Sequence, residues 1–143
     1  MVSSLNEKIK LIICTITSVI IKLLGGWDIW LAALFTVIII DILTGILKSL
    51  LMRSDKSQSG GLNSQSMFRG GVKKFLILLM VALGTVLDTI IYPDEVFIRI
   101  MIVSYYIANE SLSILENIGE CGVPLPKALY KILDNLKDKN DEN

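Results

Sequence analysis

The chain has 143 residues, with 14 basic and 14 acidic side chains and no histidine. Hydrophobic residues make up 52% of it and the mean hydropathy is +0.62, which is more apolar than an average water-soluble domain. A chain this short cannot bury that much apolar surface in water. The composition therefore disfavours a soluble monomer and leaves a soluble helical bundle with a very apolar core as the alternative.

The composition also excludes several kinds of chemistry. The absence of histidine removes His-based triads, HExxH metal sites and a histidine general base. Cys14 and Cys121 are too few and too far apart for a zinc site. The balanced charge gives no argument for a nucleic-acid partner. We therefore predict that the protein is not an enzyme, holds no metal or other cofactor, and does not bind nucleic acid.

Four apolar segments follow one another along the chain, at residues 9–24, 29–51, 73–92 and 96–115. Each is close to the length that an α-helix needs to cross about 30 Å of hydrocarbon, and none has a broad polar face. The predicted fold class is an all-α membrane protein with four transmembrane helices in a single domain, residues 1–143. The first segment is the shortest. If it lies flat on the membrane, re-enters it or is a signal peptide, three spans remain.

The charges between the segments predict an orientation. The 48–74 connection carries six basic residues and one acid, whereas the two short turns carry no base. The positive-inside rule then places this connection and both termini in the cytoplasm, and four spans satisfy all of these loops together. The residues predicted to set the orientation and the membrane interface are Trp27, Asp28, Lys48, Arg53, Arg69, Lys73 and Lys74.

Two segments outside the predicted spans have a recognisable composition. Residues 53–72 are rich in Ser, Gly and Gln, which predicts a flexible tether between two helical hairpins. In the tail, residues 118–143, two prolines can open a helix, and leucines and an isoleucine recur at helical spacing over residues 125–136. We predict a short amphipathic helix there, on the cytoplasmic side, lying on the membrane surface or on a neighbouring subunit.

Polar residues inside the apolar segments are the candidate functional residues, because a charge in a spanning helix costs at least a few kcal/mol unless it faces protein or water. In an antiparallel hairpin, Asp88 and Arg99 reach similar depth near the outer interface, which predicts a salt bridge between them. The residues predicted to make intramembrane polar or oligomer contacts are Asp41, Thr44, Gly45, Asp88, Arg99, Asn109, Glu110, Ser113, Glu116 and Asn117.

Asp41 and Glu110 are predicted to lie at about the same depth, about 18 Å along the second segment at ~1.5 Å per residue. Two carboxylates would not both ionise comfortably in a dry site. Either one of them is protonated, or a base such as Lys73 reaches them, or water does. A paired-carboxylate active site is disfavoured because no nucleophile or metal-ligand spacing accompanies them.

Several short motifs occur in the order in which one known family has them. They are Gly25-Gly26-Trp27-Asp28, Asp41-x-x-Thr44-Gly45, RGGVKK at 69–74, Asp88, IANESLSILEN at 107–117 and GVPLPK at 122–127. Over about residues 23–136 the chain thus resembles the phage holin and toxin-secretion holin family of low-GC Gram-positive bacteria and their phages. The family often has Asp-Tyr where this chain has Asp41-Ile42.

The resemblance implies a multi-pass protein of the bacterial cytoplasmic membrane that assembles with further copies of itself into non-specific lesions. An endolysin or a toxin would pass through them without stable binding, and the host cell would lyse. Membrane lipid and an antiholin are the other implied partners. Two alternatives stay open: a small selective channel or transporter, and an antiholin or membrane scaffold that forms no pore.

Overall fold

The computed structural model describes residues 2–55, 64–93, 95–129 and 131, with side chains for 6–51, 67–93, 95–129 and 131. Over these residues the chain forms four α-helices and no strand, which confirms the predicted all-α fold class. The helices are α1 (Val2–Leu23), α2 (Ile29–Asp55), α3 (Ser64–Ile91) and α4 (Phe97–Glu120).

The helices extend beyond the apolar segments that predicted them. The largest difference is in α3, which begins at Ser64 rather than at residue 73 and so takes in part of the predicted tether. Gly70 and Gly71 lie within this helical extension. A glycine inside a helix costs only about 1 kcal/mol, and adding a turn to an existing long helix needs no new nucleus. A composition typical of linkers is therefore compatible with helix here.

Helix α4 packs against both α2 and α3. The buried positions on α2 and α3 alternate three and four residues apart, and those on α4 are four and seven residues apart. This 3.5-residue repeat is typical of helices that pack nearly parallel over a long distance. The buried positions are Leu31, Leu34 and Ile38 on α2, Ile77, Val81, Gly84 and Asp88 on α3, and Arg99, Val103 and Glu110 on α4.

The interior of this three-helix bundle holds charged side chains beside an apolar core, and many large apolar side chains lie on its exterior. Asp88, Arg99 and Glu110 are 1–3% exposed, while Phe68 and Ile90 are more than 70% exposed. A water-soluble protein rarely buries three charges in so small a bundle while it leaves so many large apolar side chains exposed. The arrangement suits hydrocarbon, where apolar side chains face the solvent and charged ones face protein.

By length and composition two helical stretches can cross a membrane, Ile29–Leu51 in α2 and Met67–Ile91 in α3. This is two candidate spans rather than the predicted four. Helix α1 falls short because three charged residues lie between positions 7 and 10, and α4 because Arg99 and Glu110 interrupt it. In α4 both charges are buried against the neighbouring helices and are therefore kept away from the surrounding solvent.

Helix α1 stands apart from the bundle. Residues 6–20 are exposed on every side, and the first buried residue is Leu24, just after the helix ends. Gly25 and Gly26 follow with φ angles of +89° and +91°. These angles suit glycine and strain any residue that has a Cβ, so the two glycines allow the abrupt turn into α2.

The predicted C-terminal helix begins at Lys127, and the backbone N–H of Leu129 donates to the carbonyl of Pro126 at 2.9 Å. Its continuation over residues 132–136 lies outside the described residues.

Candidate functional site

The buried charges of the bundle form two clusters. The outer cluster, next to the α1–α2 turn, consists of Asp28, Asp88 and Arg99. The inner cluster lies more than two helical turns further along α2 and α4 and is centred on Asp41, Lys74 and Glu110. Both lie on the 3.5-residue stripe of buried positions, so the packing of the helices brings these residues together.

Arg99 is the centre of the outer cluster and is almost fully buried. Its Nη1 and Nη2 donate to the two carboxylate oxygens of Asp28 at 2.6 and 3.2 Å, and its Nε donates to the carbonyl of Leu24 at 2.6 Å. A further hydrogen bond from Nη2 reaches the carbonyl of Gly26 at 3.3 Å. The planar guanidinium, with several N–H donors in a fixed geometry, suits acceptors that belong to a carboxylate and to two backbone carbonyls. Arg99 therefore fastens the α1–α2 turn to α4.

The carboxylate of Asp88 accepts hydrogen bonds from the backbone N–H groups of Ile98 and Arg99 at 2.7 and 2.9 Å. These groups belong to the first turn of α4, where N–H groups have no partner within the helix, and Val96 at the N-cap supplies no side-chain cap. The expected salt bridge between the Asp88 and Arg99 side chains is replaced by this cap, because the guanidinium points to Asp28.

Asp28 also caps a helix. Its Oδ1 accepts the backbone N–H of Leu31 at 2.8 Å, in the first turn of α2. Hydrogen bonds from the Arg99 guanidinium lower the pKa of Asp28 below its ordinary value of 3.8; burial opposes them less strongly, and the backbone N–H of Leu31 adds to the lowering. The carboxylate is thus held in its charged form at the turn between α1 and α2.

Gly84 allows α3 and α4 to approach closely beside the outer cluster. A Cβ at this position would lie 3.0 Å from the Cα of Arg99 and 2.9 Å from the Cδ1 of Ile102. The first of these contacts is to backbone, which cannot turn away. By contrast, Gly45, which the sequence suggested as a close-approach residue, has only the Asn117 amide nearby, at 3.7 Å.

The inner cluster joins three helices through one lysine. The Nζ of Lys74 donates to Asp41 at 2.7 Å and also to Glu110. The amide of Asn117 donates to Asp41 at 3.3 Å and to the hydroxyl of Thr44 at 3.4 Å. One cation thus serves two carboxylates, so charge joins α2, α3 and α4 here in addition to their apolar core.

A cavity of about 370 Å³ adjoins the inner cluster between α2, α3 and α4. Its lining includes Asp41, Gly45, Gly71, Lys74 and Ser113. A cavity of this size with polar groups on its wall can hold several water molecules. The side chain of Lys74 is 17% exposed, while that of Glu110 is 4% exposed, so the cluster borders accessible space on one side.

The other candidate residues are distributed over the surface and the helix ends. Asn109 and Glu116 face outward on α4, and Lys48 pairs with Glu120 at 2.6 Å. Trp27 is exposed and stacks on Phe35, with ring centroids 6.0 Å apart. The remaining predicted interface residues are Arg69 and Lys73, which are exposed, and Arg53, whose side chain lies outside the described residues.

The base that reaches both carboxylates is Lys74 and not the neighbouring Lys73. Adjacent residues on a helix point about 100° apart, so only one of the two can face the bundle. The signal that distinguishes them is the 3.5-residue repeat on α3, since Lys74, Ile77, Val81, Gly84 and Asp88 fall on one stripe. Lys73 lies off this stripe and is exposed.

Among the described residues no group of three or more His, Cys, Asp or Glu side chains is placed to hold a metal ion. Each carboxylate in the two clusters accepts a hydrogen bond from a cation or from a backbone N–H. The two clusters accordingly bind helices to one another.

The fold and the two clusters define a class: a small helical membrane protein whose charges are paired inside a bundle. The comparisons with known proteins agree. The bacteriophage holin family model matches residues 18–138, so the chain belongs to the bacteriophage holin family, whose members are in general not enzymes. The match and the two apolar helices together indicate a membrane location.

Similar proteins come from clostridia and from a bacillus phage. An uncharacterised protein of Clostridium perfringens is 34% identical over 133 residues, 93% of each chain. A 14.9 kDa protein from the nagH 3′ region of the same species is 36% identical over 80% of this chain and 82% of its own. A protein of Bacillus phage phi105 named "Probable holin" is 36% identical over 73% of this chain and 71% of its own. No solved structure gives a significant match.

Proposed function

We propose that this protein is a holin, which accumulates in the cytoplasmic membrane of a bacterium and assembles there into non-specific lesions that release an endolysin or a toxin. The observation that carries the proposal, in a member of the holin family, is that Asp88, Arg99 and Glu110 are buried in the bundle while many large apolar side chains are exposed. The assembled copies would line a water-filled lesion, and the protein would perform no catalytic step.

The proposed topology has four spans with both termini in the cytoplasm. In α4 the charges Arg99 and Glu110 are buried, so this part of the helix can cross the hydrocarbon while these two charges face α2 and α3. The outer cluster holds the two short turns at one level, because Arg99 joins Leu24 and Asp28 to the start of α4. The basic 48–74 connection then lies on the opposite side, which the positive-inside rule makes the cytoplasm.

A thiol-labelling experiment tests this topology. A single cysteine is placed at Ser59 in a Cys14→Ser, Cys121→Ser background, and intact cells are treated with an impermeant thiol reagent. The proposal predicts protection until the cells are opened. A cysteine at Pro93, in the α3–α4 turn, serves as the matched control and should label at once. Rapid labelling at Ser59 would overturn the orientation.

The lesion is tested with cargoes of increasing size. The purified protein is reconstituted into vesicles that hold potassium ions, a small dye and a folded fluorescent protein. A holin releases all three at the same threshold of protein per vesicle. Release of ions alone would contradict the proposal in favour of a selective channel. Tight vesicles at every protein density, combined with slower release by an independent holin, would contradict it in favour of an antiholin.

A further inference from the structure

Two polar stripes face away from the bundle, and neither has a partner among the described side chains. The first lies on α1, where Glu7, Lys10, Cys14 and Ser18 share one face at helical spacing. The second lies on α4, where Asn109 and Glu116 are exposed about 100° or more around the helix from the buried stripe. These two stripes are called the α1 face and the α4 face below.

Exposure to hydrocarbon costs more free energy for the α4 face than for the α1 face. A buried amide or carboxylate without a hydrogen-bond partner costs several kcal/mol when no water is present. Neither Asn109 nor Glu116 makes a hydrogen bond or a salt bridge with any described side chain. The hydroxyls of Thr15 and Ser18 on α1, by comparison, already donate to the carbonyls of Leu11 and Cys14. The α4 face therefore needs a partner that brings donors and a positive charge.

The α1 face supplies donors and a positive charge at the depths along the helix where the α4 face needs them. The carbonyl of Leu24 accepts a hydrogen bond from Arg99, so these two residues mark one level on α1 and α4. Cys14 and Asn109 each lie ten residues from this level along their helices, about 15 Å at ~1.5 Å per residue. Lys10 lies fourteen residues from it and Glu116 seventeen, a difference of about 5 Å, which a lysine side chain can bridge.

We propose that the α1 face of one copy docks on the α4 face of the next copy, with Lys10 paired to Glu116 and the Cys14 turn of α1 against Asn109. The inference rests on the four-span topology of the proposed function. All copies share one orientation in the membrane, so a neighbour presents its α1 residues at the levels given above. Charge complementarity selects a second copy as the occupant, because Lys10 has no described partner within its own chain.

Such a contact is heterologous: each copy uses α1 on one side and α4 on the other. A head-to-tail contact of this kind leaves a free face at each end of every assembly and propagates until a ring closes. Ala108, between the exposed Tyr105 and Asn109 on α4, is a small residue that lets a second helix approach closely.

Disulfide crosslinking tests the contact. Asn109→Cys is combined with the native Cys14 in a Cys121→Ser background, and membranes that contain the protein are oxidised with copper phenanthroline. We expect a ladder of crosslinked dimers, trimers and larger species. The matched control is Phe75→Cys in the same background. Phe75 is 61% exposed on α3 and lies nine residues from Gly84, which is level with Arg99, so it has nearly the depth of Asn109 on a different face.

Three results would overturn the proposal. One is the absence of crosslinks with Asn109→Cys. Another is an internally crosslinked monomer without a ladder, which would place α1 on the α4 face of its own chain. The third is an equal ladder with Phe75→Cys, which would indicate random collision.

Charge reversal gives a second test that does not depend on cysteine chemistry. Lys10→Glu and Glu116→Lys should each lower the assembled fraction in mild detergent about threefold to tenfold, the range expected for one polar contact between membrane helices. The double reversal should restore it, and failure to do so would contradict the pairing. Release of protein cargo is measured on the same samples. A ladder without release would refute the proposed function and leave the docking contact standing, whereas release without a ladder would refute the docking contact alone.

Discussion

The two buried clusters differ in how their cations are held. Arg99 is a planar donor with four hydrogen bonds to the carboxylate of Asp28 and to two backbone carbonyls, in a place where Gly84 leaves no spare room. Lys74 is a compact charge shared by two carboxylates beside a cavity. We call the outer cluster a fixed joint, because it holds the two turns rigidly against each other. At the inner cluster we expect Lys74 to exchange hydrogen-bond partners at a modest cost in free energy.

The difference matters under the proposed function, in which folded chains accumulate in the membrane before they assemble. At the outer cluster any movement breaks several hydrogen bonds together, since backbone and side chains accept from one guanidinium. At the inner cluster Asp41 and Lys74 line the cavity, so water there can solvate Asp41 when Lys74 moves towards Glu110. We therefore expect substitutions in the outer cluster to change folding, and substitutions in the inner cluster to change assembly more than folding.

The largest effect is expected for Arg99→Leu. It leaves Asp28 and two backbone carbonyls without their donor, and each buried acceptor left unsatisfied costs about 1–3 kcal/mol. Thermal unfolding in detergent and the amount of protein in the membrane should both fall sharply. Lys73→Leu removes an exposed cation from α3 and is the control, with little change expected. Equal stability of the two variants would contradict the fixed-joint description.

Gly84→Ala should have the next largest effect. The added methyl group meets the α4 backbone at Arg99, and overpacking of this kind costs about 1–3 kcal/mol. Gly70→Ala is a matched control on the same helix, because a Cβ at Gly70 meets nothing within 4 Å and alanine favours helix. Unfolding temperatures should move in opposite directions for the two variants. A stabilised Gly84→Ala protein would show that α3 and α4 are not in close contact.

The inner cluster is expected to respond in assembly. Asp41→Asn and Glu110→Gln each neutralise one of the two carboxylates that Lys74 serves but keep an oxygen that can accept its hydrogen bond, so the folded chain should lose less stability than in Arg99→Leu. Oligomer size in detergent and the timing of lysis after induction should change. If both variants leave size and timing unchanged, the inner cluster has no part in assembly.

The smallest effect concerns pH. Because the pKa of Asp28 is lowered in the folded protein, its contribution to stability is fully present above its ordinary value of 3.8 and is lost as pH falls from there through the folded value. The free energy of unfolding in detergent should therefore fall below about pH 4 by more in the unaltered protein than in Asp28→Asn. The effect is small because the Asp28 side chain is 38% exposed. Identical pH profiles would contradict it.

The sequence predicts the helices of this protein well and its side-chain pairs less well, for a physical reason. Apolar runs of spanning length are local signals, so the positions of α2 and α4 follow directly. The partner of an intramembrane charge depends on how each helix is rotated about its axis. The sequence alone therefore suggests Lys73 as the base near the two carboxylates, whereas Lys74 makes the contact. The predicted salt bridge between Asp88 and Arg99 is wrong for a similar reason, because the free backbone N–H groups in the first turn of α4 compete for the Asp88 carboxylate.

Some of this information is nevertheless present in the chain. The buried positions on α3 alternate three and four residues apart. When this spacing is followed backward from Asp88, it reaches Lys74 and not Lys73, and so indicates which lysine faces the bundle. The docking of Arg99 on the α1–α2 turn joins residues 71 positions apart, and no local pattern contains it. Helix α3 begins at Ser64 in a stretch whose composition is typical of linkers, so there composition alone was misleading.

The central claim, that the apolar exterior of the bundle faces hydrocarbon, is tested most directly by a spin label at Leu83. This residue is 48% exposed on α3, eight residues from its outer end, or about 12 Å into the membrane. In vesicles the label should relax rapidly with dissolved oxygen, which concentrates in lipid, and hardly at all with a water-soluble nickel complex. Strong relaxation by the nickel complex, in vesicles that remain sealed, would show that water surrounds this face and would contradict the account.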